Sequence, residues 1–292
     1  MRQFSFLTID LEDWFHLLDL EQVMNVDDWD SYEARIENIT FWMLELLSEY
    51  NVKAIFFVLG WVADRYPDLI LEIRNRGHVI GSHSYSHPLL YQLSADEFRQ
   101  DLVKSLTSIE RACGEVPKYY RAPGFSITQN NLSCLKTLIE NGIEADFSIF
   151  PGLRSHGGLP TALDVPHRIT FDNKKSLIEF PMSVGEIVLG WKFGFGGGYY
   201  RLLPRRILRN AFFSRGYLMS YFHPRDFDFY QPRLSELGWL RYFRSYVGLK
   251  HSKSKFKSLL GDFSFGDPQS QISEIAGSEL HEVLYHSEGI NL

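Results

Sequence analysis

The feature that most constrains the fold is an alternation of short apolar runs with amphipathic stretches. Three runs are typical of strands: FSFLTID at 4–10, VKAIFFVLG at 52–60 and HVIGSHS at 78–84. They are short and rich in β-branched and aromatic residues, as buried strands are. The segments that separate and follow them have helical spacing. Such alternation predicts parallel strands with helices packed outside, in an open sheet or a barrel.

Three helices are predicted between and after these strands. Apolar residues recur at helical spacing from 33 to 50, and the stretch 67–77 has a proline in its first turn and Gly77 as a stop. The segment 94–113 opens with Ser-Ala-Asp-Glu, the pattern of a capping box. A chain of 292 residues with 45% apolar content can bury one large core, so we expect one principal domain.

Acids and histidines follow the predicted strands. Asp10, Glu12 and Asp13 lie at the end of the first strand, and His83 and His87 follow the third. In parallel α/β folds the carboxyl ends of the strands meet at one edge, where catalytic groups gather. We therefore expect these side chains to lie close together.

The pair His83 and His87 is a candidate metal site. Four-residue spacing on one helical turn would bring both imidazoles to one side, as two nitrogen ligands of a zinc-like ion require. Pro88 disfavours helix at His87, so at most a single turn follows the strand. Because the chain has ten histidines, the spacing alone is weak support, and ordinary loop histidines are the alternative.

The acids of TIDLED could supply a third ligand. Asp10 and Glu12 share one side of an extended strand, whereas Asp13 falls where the strand ends and could turn either way. Two imidazoles and one carboxylate would leave a coordination position open for water, as catalytic zinc sites do. The alternative interpretation is that these acids cap a helix or lie on the surface.

Two later segments hold further candidates. YYRAPGF places Arg121 just before a proline–glycine turn, and YLMSYFHPRDFD places His223 directly after an apolar, strand-like run. Taken singly, Arg121 would also fit a structural ion pair, and His223 would also fit an ordinary histidine at a strand end.

The order of these segments resembles that of the polysaccharide deacetylase family, metal-dependent carbohydrate esterases with a NodB-like domain. The motifs D-x-E-D, H-S-x-x-H-P, R-x-P-G and an apolar strand ending in histidine follow one another along most of the chain. The later sequence is similar to a subgroup found with exopolysaccharide-synthesis and exosortase systems. The resemblance implies a distorted (β/α) barrel of seven strands. We expect one domain at residues 1–265, with a core at 4–224 and an extension at 225–265. The polar and acidic composition of residues 266–292 predicts a poorly ordered tail.

The resemblance also implies roles for five residues. Asp10 matches the catalytic base of the family, and Arg121 matches the arginine that orients this base. His223 matches the general acid. His83 and His87 match the two metal-binding histidines.

One departure from the family pattern concerns the metal. The common pattern has two adjacent aspartates, the second of which binds the metal, whereas Leu11 occupies that position here. In some relatives one residue separates the two acids, and by that pattern Glu12 would be the metal ligand. A bulge at the strand end could instead swing Asp13 inward. The sequence leaves both acids open as the third ligand.

The reaction implied is hydrolysis of an N-acetyl group, with a divalent metal, by preference Zn²⁺, as the cofactor. Asp10 would accept a proton from water, and His223 would protonate the departing nitrogen. A backbone N–H near the turn at 121–125 would stabilise the developing oxyanion. The expected contacts with an N-acetylated saccharide are Pro123, Gly124, Phe125 and Trp14.

Two other functions fit the same sequence. Related barrels hydrolyse small cyclic amides, sometimes without a metal, so metal content would separate this activity from the first. A relative with an altered first motif could also bind glycans without catalysis. Saccharide affinity without acetate release would support that interpretation.

Charge and composition bear on partners and location. A formal net charge of −6 and a pI near 5.9 argue against nucleic acid as a partner. The two cysteines form no C-x-x-C pattern. The sequence has no signal-like apolar region and no apolar run of membrane-spanning length, so a cytoplasmic protein is expected. The basic segments 201–215 and 241–257 could contact anionic lipid or a lipid-linked glycan.

Overall fold

The computed structural model describes residues 4–18, 25–171, 175–187, 191–213, 216–286 and 289–291. The strands among them are β1 (Phe4–Leu11), β2 (Ile55–Val58), β3 (Val79–Ser82), β4 (Tyr119–Tyr120), β5 (Ala145–Asp146), β6 (His167–Phe171), β7 (Ser176–Glu179), β8 (Val184–Ile187), β9 (Trp191–Gly194), β10 (Tyr217–Phe222), β11 (His281–His286) and β12 (Gly289–Asn291). The helices are α1 (Ile36–Glu49), α2 (Gly60–Arg65), α3 (Pro67–Asn75), α4 (Ala95–Cys113), α5 (Cys134–Glu140), α6 (Gly197–Leu202), α7 (Arg205–Phe213), α8 (Trp239–Tyr246), α9 (Leu249–Asp262) and α10 (Pro268–Ala276). None of these helices combines the length and the apolar composition that crossing a bilayer requires.

Seven parallel strands form the wall of a barrel. In spatial order β10, β1, β2, β3, β4, β5 and β7 each pair in parallel with the next. The last strand of the core, β10, therefore returns to lie beside the first. This arrangement confirms the predicted distorted (β/α) barrel with seven strands.

The barrel has a seam between β7 and β10. Among the described residues no backbone ladder joins these two strands. Side chains bridge the seam instead: the Tyr217 hydroxyl donates to the Pro181 carbonyl at 2.8 Å, and the Met219 N–H donates to the Ser183 hydroxyl at 2.8 Å. Hydrogen bonds therefore connect the wall all the way round, but those at the seam involve side chains instead of a backbone ladder.

The elements predicted in the first half of the chain are present. The helix α4 has the predicted capping box, because the Ser94 hydroxyl accepts from the Glu97 N–H and the Glu97 carboxylate accepts from the Ser94 N–H. The helix α1 begins at Ile36 rather than at residue 33, since the backbone N–H groups of Arg35 and Ile36 donate to a side chain of the β1 end, described below.

Aromatic rings fill the barrel beneath the carboxyl ends of the strands. Phe147 and Phe180 stack in parallel with their centroids 4.8 Å apart, and Phe6 meets Phe180 edge-on at 5.6 Å. The guanidinium of Arg121 lies 4.2 Å above the centroid of the Phe57 ring. These rings are buried, and the Arg121 guanidinium packs against one of them.

The described part of the predicted polar tail is folded. The Gln271 side chain, on α10, accepts from the Ser5 N–H at 2.7 Å and donates to the Ser5 carbonyl at 3.0 Å, which fastens α10 to the start of β1. The strand β11 pairs in parallel with β6 and extends the sheet. Residues 287, 288 and 292 of that tail, and 214–215 of the first basic segment, lie outside the described residues.

The glycine run before α6 is required by a close backbone approach. A Cβ on Gly196 would lie 1.6 Å from the Tyr221 carbonyl oxygen, so no other residue fits without moving β10. Gly197 follows with φ of +50° and begins α6. The loop therefore lies directly against β10, the strand that leads to His223.

Candidate metal and catalytic site

Four strands of the barrel wall bring the predicted residues to one rim. Asp10 lies in β1, while His83, Arg121 and His223 directly follow β3, β4 and β10. With β2 between β1 and β3, these strands are consecutive and parallel in the wall, so their carboxyl ends face the same side. The expected convergence of acids and histidines is therefore present in the structure.

Glu12, His83 and His87 meet at one point. The Glu12 Oε1 atom lies 3.1 Å from His83 Nε2 and 3.0 Å from His87 Nε2, and all three residues are buried. The contact with His87 lacks hydrogen-bond geometry, so this buried ring nitrogen has no hydrogen-bond partner among the described residues. Three ligand atoms within 4.8 Å of one another form a group that could hold a metal ion.

The electrostatics of Glu12 favour its charged form. Burial by itself would raise the pKa of Glu12, but the charges of His87 and His223 and the hydrogen bond with His83 outweigh burial. Together they hold the pKa well below its usual value. Glu12 is therefore a carboxylate, the form in which it would bind a cation.

A hydrogen bond at Nδ1 fixes the tautomer of His83. Its Nδ1–H donates to the Arg121 carbonyl at 2.7 Å, since a carbonyl can only accept. In the neutral ring the Nε2 lone pair then faces Glu12. A backbone carbonyl on the distal nitrogen is a usual support for a metal-binding histidine.

The structure separates Asp13 from Glu12. The Glu12 N–H donates to the Asp10 carbonyl at 3.0 Å, a tight turn that directs Glu12 toward the histidines. Asp13 Oδ2 instead accepts from the N–H groups of Arg35 at 2.7 Å and Ile36 at 2.9 Å, at the start of α1. Asp13 thus caps a helix, one of the alternatives left open by the sequence, and does not join the group around Glu12.

Arg121 is fully buried and holds Asp10. Its Nη1 donates to Asp10 Oδ1 at 2.6 Å and to the Thr8 hydroxyl at 2.7 Å, while its Nε donates to the Phe147 carbonyl at 3.2 Å. Asp10 Oδ2 has no hydrogen-bond donor among the described residues, and it lies 3.9 Å from His223 Nε2. One carboxylate oxygen of Asp10 is therefore fixed and the other faces the site.

His223 is oriented by Asp226. Asp226 Oδ2 lies 3.1 Å from His223 Nδ1 and accepts from the His223 N–H at 2.9 Å. The other oxygen, Oδ1, lies 3.3 Å from Nε of Arg201. His223 Nε2 consequently faces Glu12 and Asp10, with Glu12 Oε1 at 3.8 Å. Burial lowers the pKa of His223, but the charges of Glu12, Asp226 and Asp10 and the Asp226 hydrogen bond outweigh it and raise the pKa to about 9 without a bound cation.

The turn between the two histidines is clamped by Asp101 on α4. Asp101 Oδ2 accepts from the Ser84 hydroxyl and from the Tyr85 N–H at 2.8 Å, and Oδ1 accepts from the Ser86 N–H at 3.2 Å and hydroxyl at 3.1 Å. The clamped backbone is strained, since Ser84 and His87 have φ of +71° and +60°. Four hydrogen bonds donated to one carboxylate hold this conformation.

The turn at 121–125 lies beside these groups, and its N–H groups are mostly occupied. Arg121 N–H donates to the Ser82 carbonyl, Ala122 N–H to the Ser148 hydroxyl, and Phe125 N–H to the Ala122 carbonyl. Pro123 has no N–H, so among the described residues only the Gly124 N–H of this turn lacks an acceptor. Gly124 has φ of +63° and Phe125 φ of +53°, a second strained backbone at the rim.

Two of the aromatic contacts expected for a saccharide are packing residues in the structure. The Trp14 ring is 7% exposed, its Nε1 donates to the Glu33 carbonyl at 2.9 Å, and it packs edge-on against Phe15 and Tyr32. Phe125 is 3% exposed and packs edge-on against Tyr221 at 5.2 Å. These buried rings present little surface to a sugar, and a saccharide contact of Trp14 and Phe125 stays a prediction.

Sequence reasoning missed three residues around the site. Asp101 and Asp226 support the histidines as described. His16 lies deeper: its Nδ1 accepts from the Asp13 N–H at 3.0 Å, and its buried Nε2 has no hydrogen-bond partner among the described residues. Burial and the nearby charge of His87 lower the pKa of His16 well below its usual value, so the ring is neutral. No local motif marks these positions, although HPRD places an acid three residues after His223.

Comparison with family models yields two matches. The model described as Polysaccharide deacetylase matches residues 23–142, and a domain of unknown function, DUF3473, matches residues 147–273. The first match contains His83, His87 and Arg121, and the second contains His223 and its partner Asp226. The candidate site is thus assembled from both matched regions and from β1, which precedes them.

Similar curated proteins match over short segments. Peptidoglycan-N-acetylglucosamine deacetylase of Bacillus cereus is 42% identical over 90 residues, which are 31% of this chain and 33% of that protein. Chitin deacetylase 1 of Saccharomyces cerevisiae is 37% identical over 78 residues, 27% of this chain and 26% of that protein. The match therefore spans a third or less of the length of these relatives.

Among solved structures, a presumed polysaccharide deacetylase from Mycobacterium smegmatis is similar over nearly the whole chain. Its TM-score is 0.60 at 21% sequence identity, with 92% of this chain and 88% of that chain covered. At this identity the similarity shows a common fold.

Proposed function

Because the chain belongs to the polysaccharide deacetylase family, we propose that it is a metal-dependent hydrolase that removes N-acetyl groups from an amino sugar. The substrate class we propose is a polysaccharide, such as an exopolysaccharide, or its lipid-linked precursor. The observation that carries the proposal is the meeting of Glu12, His83 and His87 at one buried point, beside a fixed Asp10 and an oriented His223.

The residues present fit a divalent cation. Two imidazoles and one carboxylate are the donor set of many catalytic zinc sites. The ring nitrogen of His87 is buried without a hydrogen-bond partner among the described residues, a costly state that a bound cation would relieve. When bound, such an ion supplies Lewis acidity toward a carbonyl oxygen and toward water. We propose Zn²⁺ for this position.

Asp10 is the proposed general base. Arg121 fixes Oδ1 and keeps the carboxylate in one orientation, while Oδ2 is available to accept a proton from a water molecule in the site. The Arg121 guanidinium is itself held by Thr8 and Phe147, so the base has little freedom to rotate away.

His223 is the proposed general acid. Its Nδ1 is engaged by Asp226, and its Nε2 faces the same space as Asp10 Oδ2. A proton on Nε2 is therefore placed for transfer to the departing sugar nitrogen, since an amine is a poor leaving group until it is protonated. The Gly124 N–H, free of other acceptors among the described residues, is the proposed backbone donor to the developing oxyanion.

The proposal is tested by metal content and acetate release. We expect elemental analysis of the purified chain to find a divalent metal, and a panel of N-acetylated oligosaccharides to release acetate. Removal of the metal with a chelator should lower the rate at least about 100-fold, and added Zn²⁺ should restore it. Release that is unaffected by chelation would contradict metal dependence. A metal-loaded chain that binds saccharides but releases no acetate would contradict the enzymatic assignment.

A second prediction concerns the Asp101 clamp. Replacing Asp101 by alanine removes four hydrogen bonds from the turn that separates His83 from His87, so the strained backbone should relax and part the imidazoles. We expect Zn²⁺ affinity, measured by competition with a chromogenic chelator, to fall about 10- to 100-fold. Glu110→Ala, at an exposed acid on the same helix, is the matched control and should keep its affinity. Equal affinity in the two variants would show that Asp101 does not position the histidines.

A further inference from the structure

An exposed aromatic surface lies next to the loop that carries His223. Large apolar side chains exposed singly are normal on a soluble domain. Here six of the eighteen exposed large apolar residues in the described part of the chain fall within residues 229–243. Tyr230 is 81% exposed and Trp239 is 82% exposed. Clustering of this kind indicates an interaction surface rather than scatter.

Ring and cation–π contacts connect part of this surface. The Phe229 and Tyr230 rings lie 5.2 Å apart, and the Arg233 guanidinium lies 5.7 Å from the Phe229 centroid and 4.4 Å from that of Tyr246. The Tyr246 ring in turn lies 4.7 Å from that of Tyr242 on α8. We call the exposed part the aromatic–arginine face, made of Phe229, Tyr230, Arg233, Trp239, Leu240, Tyr242, Phe243 and Arg244.

The helix α8 contributes an apolar stripe to this face. Trp239, Leu240 and Phe243 stand at helical positions i, i+1 and i+4, which share one side, and all three are exposed. The last turn of α8 is anchored, because the Tyr246 hydroxyl accepts from the Leu234 N–H at 3.0 Å and donates to the Pro232 carbonyl at 3.1 Å. The apolar stripe of a firmly packed helix therefore faces outward.

The charge around the face is opposite to that of the whole chain. Residues 229–246 contain three arginines, Arg233, Arg241 and Arg244, and a single acid, Glu236, whereas the chain has a formal net charge of −6. Trp and Tyr favour the interface of a bilayer, and Lys and Arg are attracted to anionic headgroups. Saccharide hydroxyls need acceptors as well as donors, and the only exposed carboxylate among residues 229–244 is that of Glu236.

We propose that the aromatic–arginine face docks the protein on an anionic lipid bilayer, with the α8 stripe entering the headgroup region and the arginines meeting lipid phosphates. The face begins at Phe229, directly beyond the turn at 224–227 that follows His223. Docking would therefore set the mouth of the candidate site close to the bilayer surface. Resting on the proposed function, this favours a lipid-linked saccharide as the substrate.

Vesicle binding tests the proposal without any measurement of turnover. We expect the purified full chain to co-sediment with phosphatidylcholine vesicles that contain about 30% phosphatidylglycerol at least about tenfold better than with phosphatidylcholine alone. Binding should weaken as salt rises, because the headgroup attraction is screened. Absence of binding at low salt, or binding that salt does not change, would overturn the proposal. Vesicle binding does not depend on acetate release. The docking proposal and the proposed deacetylase function can therefore fail independently.

Variants locate the binding on the face. The double variant Trp239→Ala with Phe243→Ala should lower the partition coefficient at least about tenfold, because it removes the apolar contact. Arg244→Glu should lower it on anionic vesicles only. Phe41→Ala, at an exposed aromatic on α1, is the matched control and should bind as the unchanged chain does.

Two results would assign the face to something else. If the double variant bound vesicles as well as the control, the lipid contact would lie elsewhere. If the unchanged chain eluted as a dimer in size-exclusion chromatography and the double variant as a monomer, a second copy of the chain would cover the face, and the lipid proposal would be wrong.

Discussion

Replacing Glu12 by glutamine should lower the affinity for Zn²⁺ by more than about 100-fold and abolish most acetate release. Glu12 is the only acid that reaches both His83 and His87 in the described residues, at 3.1 and 3.0 Å from their Nε2 atoms. Glutamine keeps the size of the side chain but removes the negative charge that a cation requires. Isothermal titration with Zn²⁺ and an acetate assay on the same samples measure the two effects.

Asp13→Asn is the matched control for this variant. Asp13 is adjacent in sequence and equally buried, but it accepts from the N–H groups of Arg35 and Ile36 at the start of α1. Asparagine keeps one acceptor oxygen and loses the other, so we expect Zn²⁺ affinity to stay intact and the free energy of unfolding to fall by about 1 kcal/mol, the usual net worth of one hydrogen bond. The reverse pattern, with metal lost from Asp13→Asn and kept by Glu12→Gln, would make Asp13 the ligand.

The second large effect is expected at His223. His223→Ala should lower kcat about 10²- to 10⁴-fold, because the departing nitrogen loses its proton donor. Metal content should hardly change, since Glu12 contacts His83 and His87 directly but lies 3.8 Å from His223 Nε2. Rapid-quench or steady-state acetate release, with elemental analysis of each preparation, distinguishes these outcomes. Loss of metal together with activity would instead make His223 a ligand.

Asp226→Asn provides a graded version of the same test. Asparagine can still accept from the His223 N–H, but it no longer stabilises a charged imidazole. We expect a fall in kcat of about tenfold, smaller than for His223→Ala, with KM nearly unchanged. A loss equal to that of His223→Ala would mean that Asp226 itself touches the reacting atoms.

The sequence predicted the barrel because, in the first half of the chain, the local patterns of strands and helices agree with the global fold. The strands β1, β2 and β3 are short apolar runs, and α4 has its capping box at Ser94 as expected. The C-terminal part was misjudged for a physical reason. The Gln271 side chain of α10 bonds both backbone groups of Ser5, and Ile272 and Ile275 are buried in the same core as β1; composition does not reveal a polar residue in the first role.

The candidate site was predictable in its residue types but not in all its geometry. Because Asp10, His83 and His87 lie at or just after predicted strand ends, the sequence indicated that they would meet at one edge. The choice between Glu12 and Asp13 depended on a tight turn in which the Glu12 N–H returns to the Asp10 carbonyl, and strand alternation ceases to apply at such a turn. The Asp101 clamp could not be predicted, because it joins α4 to a turn fifteen to seventeen residues earlier in the chain.

Arg121 links two parts of the site. Its carbonyl accepts from the His83 ring while its guanidinium holds Asp10, so one residue spans the space between the metal-binding group and the base. The positions of the His83 ring and the Asp10 carboxylate are therefore coupled through a single residue, and a change at Arg121 would disturb both at once.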